Sequence, residues 1–110
     1  MTMSELNLEL LRKLCDSGNI KWTKHVIKRL QERQIYREDV YHVMYHGRII
    51  EQYPDAFPNP ACLISGTDTN ENPLHVVVGS DGVIITVITA YTPTLDKFGI
   101  DLETRKENKP

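Results

Sequence analysis

The hydrophobic period of this chain changes at Gly47, and that change limits the folds open to it. Before Gly47 the apolar residues recur at helical spacing. SELNLELLRKLCDSG carries Leu6, Leu10, Leu11 and Leu14 as one stripe, with Ser4 as the expected N-cap and Gly18 as the stop. Ile20 and Trp22 form a short extended piece, after which Thr23 can cap a second helix through KHVIKRLQER. REDVYHVMYHG predicts a third helix, with Val40, Val43 and Met44 inward and Gly47 at its end. After Gly47 the period is two. RIIEQY, ACLISGT, PLHVVVG and GVIITVITAY are rich in β-branched and aromatic residues and are separated by PDAFPNP, DTNEN and SD. Ser80-Asp81-Gly82 marks a tight hairpin, and Asp68 to Asn72 a longer one. Helices followed by a strand meander specify an α+β fold: N-terminal helices packed on a four-stranded, mainly antiparallel sheet.

A chain of 110 residues with 40% hydrophobic content supports one core, hence a single domain spanning 1–110. Within it, residues 1–19 form an N-terminal helical segment, and DLETRKENKP makes residues 100–110 an expected flexible tail. Charged residues interrupt every apolar run near the start, and no run reaches membrane-spanning length, so a cytoplasmic protein with no membrane partner is expected. Cys15 and Cys62 lack metal-knuckle spacing and read as buried small hydrophobes. The formal net charge of −2 conceals a cluster: Lys21, Lys24, Lys28, Arg29, Arg33 and Arg37 stand against Glu32 alone, a local net of +5. An anionic ligand belongs there.

On a helical wheel with His25 at the origin, Arg29 falls at about 40°, Arg33 at about 80°, Val26 at about 100° and Leu30 at about 140°. His25, Arg29 and Arg33 therefore border the buried face, while Lys28 and Glu32 point to solvent. From the first turn of its helix, with a cation four residues on, His25 is placed as a general base or as a hydrogen-bond donor to an anion. A purely structural His-Arg network fits the same spacing. His75 lies within the apolar run PLHVVVG, facing either the core or a concave surface. Unbroken alternation in the next strand puts Val83, Ile85, Val87, Thr89 and Tyr91 on one face, and Thr89 and Tyr91 can meet His75 across the hairpin. Glu51 and Tyr53 share a face of the first long strand; ordinary cross-strand pairing explains these polar residues as well. His42 and His46 make an HxxxH pair without a third ligand, so neither a metal nor another cofactor is expected.

KHVIKRLQERQI, DVYHVMYHGRIIEQYPDAFPNPACLISG, PLHVVVG and ITVITAYTP, in that order across residues 20–93, resemble the family called Domain of Unknown Function 4258. The resemblance implies a RelE-like fold akin to RelE/BrnT-type toxins, with helices on one face of an antiparallel sheet and RNA on the other. It implies a metal-independent endoribonuclease domain of a toxin-antitoxin type system, with RNA and an antitoxin protein as partners. The alternative is a non-catalytic RNA- or protein-binding module of the same fold. The family's recurring polar residues fall on His25, Arg29, Arg33, Tyr53, His75 and Tyr91. For cleavage, His25 or His75 would transfer protons and Tyr91 would orient or donate; Lys24, Arg29 and Arg33 would hold phosphate, with Glu51, Tyr53 and Thr89 as further polar candidates. Tyr36 departs from the small helix-capping residue common in relatives at that position.

Overall fold

Local chemistry sets the three helices. In the computed structural model, which describes residues 5–94 and 102–103, α1 (Leu8–Asp16) is capped by Asn7, whose side chain accepts from the Leu10 amide at 2.8 Å. The cap expected at Ser4 lies outside the described residues. α1 stops at Gly18, where φ of +74° suits glycine. After the two-residue strand β1 (Ile20–Lys21), α2 (Lys24–Glu32) begins at Thr23, whose hydroxyl accepts from the Val26 amide at 3.1 Å. α3 (Arg37–His46) starts after Tyr36, and the missing small cap is supplied from within the helix. Asp39 accepts the Tyr36 amide at 2.9 Å through Oδ2, and through Oδ1 it accepts the Thr69 amide and hydroxyl. At the other end of α3, Arg12 of α1 donates to the carbonyls of Met44 and Gly47 at 2.9 and 3.1 Å, satisfying helix-terminal acceptors.

Gly47 is required by crowding, with φ at an ordinary −86°. A Cβ there would fall on the Ser65 carbonyl and 2.7 Å from the Val43 carbonyl, because the end of α3 is pressed against the sheet.

The strands are β2 (Arg48–Tyr53), β3 (Ala61–Thr67), β4 (Pro73–Ser80) and β5 (Ile85–Tyr91), in the spatial order β1-β5-β4-β3-β2. The architecture is α+β, with a five-stranded mixed sheet in place of the expected four-stranded, mainly antiparallel one. Ile20 and Lys21 pair parallel to Ile85 and Thr86, which the two-residue length of β1 hid from any periodicity. Asp side chains build both hairpin turns: Asp81 accepts the amides of Val83 and Ile84, and Asp68 accepts those of Asn70 and Asn72.

One core lies between the helices and one face of the sheet. Leu11 and Leu14 of α1, Val26 and Leu30 of α2, and Val40, Val43 and Met44 of α3 meet Cys62, Ile64, Leu74, Val76, Val78, Ile85, Val87 and Ala90. Gln52 fixes the chain before α1 by bonding both backbone groups of Leu6. Among the described residues no helix is long and apolar enough to cross a membrane. Apart from Leu102 and Glu103, the expected flexible tail at 100–110 lies outside the described residues.

Candidate functional site

The polar candidates divide between two surfaces on opposite sides of the sheet. On the helix side, α2 buries Val26 and Leu30 at 1% and 3% exposure. That orientation turns Lys24, His25, Lys28, Arg29 and Glu32 to solvent, as the wheel expects of Lys28 and Glu32, whereas it put His25 and Arg29 on the border of the buried face. His25, Lys28, Arg29 and Glu32 line a shallow depression of about 180 Å³. Arg29 stands 4.0 Å from Glu32, an exposed contact at the limit of an ion pair and worth little against solvent. Arg33 behaves differently. Its guanidinium reaches over the end of β5, donating to Thr89 Oγ1 at 3.0 Å and the Ala90 carbonyl at 2.8 Å. Arg33, expected to hold phosphate, tethers α2 to the sheet through Nη1. Arg37 is likewise engaged, its guanidinium 5.2 Å from the centre of the Trp22 ring.

On the other side of the sheet, strand register aligns residues in rows. Tyr91 pairs with His75, His75 with Ser65, and Ser65 with Arg48, one polar row across four strands. The next row runs Thr89, Val77, Leu63 and Glu51. His75 is fully buried, its ring set edge-on to Tyr91 with centroids 5.5 Å apart. Its Nε2 donates to the Leu102 carbonyl at 2.7 Å. Arg48 pairs with Glu103, and Tyr53 donates its hydroxyl to Glu51.

A β-bulge makes this row. Val78 faces Val87 but Val77 faces Thr89, so Ile88 is the extra residue, 47% exposed. Unbroken alternation would have kept Tyr91 on the face of Ile85 and Val87, which is the core. The bulge sends Ile85, Val87 and Ala90 to the core and Thr89 and Tyr91 to the face of His75.

His75 and Tyr91 therefore meet as the sequence suggests, while His25 and His75 do not. Leu74 and Val76, which flank His75, point to the helices, so His75 points away from the side on which His25 lies. A mechanism that shares protons between these two histidines has no common cleft. Sequence reasoning missed Arg48, Ser65, Leu102 and Glu103; the alternation of β3 contains Ser65, but nothing local marks the other three.

The family model described as "Domain of unknown function (DUF4258)" matches residues 22–92. This chain belongs to the DUF4258 family. No curated protein and no solved structure matches it. The matched region of this DUF4258 chain begins at Trp22, just after β1, and spans α2, α3 and β2 to β5, and so both surfaces.

Two further features bear on chemistry. Burial pushes the Cys62 thiol up to about 12, and burial with the nearby Asp16 charge pushes Cys15 up to about 11. Neither is a thiolate nucleophile near neutral pH. The rings of His42 and His46 lie 4.6 Å apart, with His42 Nδ1 2.7 Å from the Thr67 carbonyl. Among the described residues no three His, Cys, Asp or Glu side chains gather at a metal-sized site.

Proposed function

We propose that this DUF4258 chain is a non-catalytic RNA-binding module of toxin type, with α2 as the surface that contacts phosphate. The observation that carries this reading is the exposure of Lys24, His25, Lys28 and Arg29 on one side of a helix whose only acidic residue is Glu32. Cations presented along one helix suit the spaced charges of a nucleic-acid backbone. This reading departs from the resemblance to RelE/BrnT-type toxins, which implies RNA on the sheet face opposite the helices; an antitoxin-like protein partner belongs to the same proposal.

The test is binding of a fluorescent single-stranded RNA across a salt series. Arg29→Ala and Lys28→Ala are each expected to weaken binding and to reduce the salt slope by about one unit per lost phosphate contact. Affinity that is indifferent to salt or to both substitutions refutes the reading.

A second reading, the metal-independent endoribonuclease, is favoured by one observation: His25 lines the same depression as Lys28 and Arg29, placing a possible base beside phosphate donors. Cleavage would proceed by attack of the 2′-oxygen on the adjacent phosphorus, leaving a 2′,3′-cyclic phosphate and a 5′-hydroxyl. Because His75 lies across the sheet, this reading predicts cleavage abolished by His25→Ala and retained in His75→Ala. RNA that stays intact with the wild-type chain excludes it.

A further inference from the structure

On the sheet face turned away from the helices, two consecutive residues lie against the polar row. Leu102 offers its carbonyl to His75 Nε2 at 2.7 Å, and Glu103 offers its carboxylate to Arg48. His75 and Arg48 sit on β4 and β2, with β3 between them, so their strands are separated by about 10 Å at roughly 4.8 Å per strand. One carbonyl and the side chain of the next residue span that interval. Leu102 holds φ of +58°, a region that a leucine rarely enters unless its surroundings fix it there. His75 is wholly buried and Ser65, between the two contacts, is 7% exposed. The groups being read are those of a peptide: a main-chain carbonyl followed by an acidic side chain.

We propose that the row Arg48, Ser65, His75 and Tyr91 is a docking site for an acidic peptide segment, which Leu102 and Glu103 occupy in cis and which an acidic segment of a partner protein takes by displacing them. A buried imidazole N–H selects a neutral acceptor such as a peptide carbonyl, while the Arg48 guanidinium selects the carboxylate. Side chains on alternate strands set the distance between the two, so an acidic residue must directly follow the bonded carbonyl. This site shares no residue with the α2 surface, so it stands whether or not α2 binds RNA.

The experiment measures fluorescence anisotropy of a labelled peptide with the sequence of residues 98–107, FGIDLETRKE, against the full chain. The wild-type chain should bind it weakly, because its own Glu103 competes. Glu103→Ala in the protein should bind at least tenfold more tightly, and adding Arg48→Ala should remove that gain. A peptide in which its own Glu103 is replaced by Gln should show no gain with either protein. Folding of each variant is checked by circular dichroism, and Glu103→Gln provides a milder change at the same position. The proposal is overturned if a folded Glu103 variant binds no better than wild type, if binding ignores Arg48, or if single-stranded RNA rather than peptide shows the Glu103-dependent gain. It is equally overturned if both Glu103 variants fail to fold, since Glu103 would then be structural cement and not a displaceable occupant.

Discussion

Asp39 is a residue whose role depends on three contacts, a local one at the start of α3 and two with Thr69 that no local pattern announces. Burial alone would raise its pKa, but the Tyr36 amide, the Thr69 amide and hydroxyl, and the charge of His42 bring it below the usual carboxylate range. A carboxyl with a lowered folded-state pKa binds its proton more weakly in the native chain than in the unfolded one. Its contribution is therefore complete above the unfolded value of about 4 and is lost as pH falls through the folded value. Asp39→Asn should cost about 1–3 kcal/mol at neutral pH, because an amide cannot accept on both sides. Urea denaturation from pH 6 down to pH 2.5 should show the gap between variant and wild type closing on acidification; a constant gap would assign the loss to packing. Gly47 carries the opposite kind of demand, since Gly47→Ala places a methyl against two backbone carbonyls that cannot rotate away. A loss of about 1–3 kcal/mol is expected by the same denaturation, although alanine is the better helix former. Sequence reading puts Gly47 correctly at the end of α3. The close approach to Ser65 that demands glycine is a long-range fact.

Among the elements, β5 shows how much a single inserted residue controls. The strand itself is legible in VIITVITAY, and so is its partner in PLHVVVG. The faces are not, because a bulge leaves the composition of the strand unchanged while reversing every later side chain. Leaving out Ile88, the remaining residues alternate Ile85 in, Thr86 out, Val87 in, Thr89 out, Ala90 in and Tyr91 out. A chain with Ile88 deleted should accordingly fold with His75 still opposite Tyr91. Nuclear Overhauser contacts between the His75 and Tyr91 rings would verify the register, and their disappearance in a folded deletion chain would mean that the bulge fixes the pairing itself. The helices gave clearer signals than the strands. Thr23 caps α2 locally and Val26 and Leu30 form its buried face, so the wheel predicts Lys28 and Glu32 in solvent, while it put His25 and Arg29, which are exposed, on the border of that face. That wheel does not predict the tether of Arg33 to Thr89 and Ala90, which depends on where β5 ends relative to α2.

At the scale of the molecule, the sheet separates two surfaces of different chemistry. The α+β order follows from the change of period at Gly47, yet the side on which each polar residue emerges depends on register, bulges and helix packing together. His25 and His75 are therefore equally conspicuous in sequence and belong to different faces, and Arg48 becomes notable only because Ser65 and His75 are aligned with it. Such separation has a quantitative consequence for the two binding proposals. Arg29 is exposed on α2 beside Glu32, and Arg48 pairs with Glu103 on the opposite face. Substitutions at sites without shared contacts usually add within about 0.5 kcal/mol. In a double-mutant cycle built on the Glu103→Ala chain, Arg29→Ala should lower RNA affinity without changing peptide affinity. Arg48→Ala should do the reverse, and the double variant should show both losses with a coupling below about 0.5 kcal/mol. A larger coupling, in either ligand's affinity, would show that the sheet transmits occupancy from one face to the other, making the acidic peptide a regulator of RNA binding instead of an independent ligand.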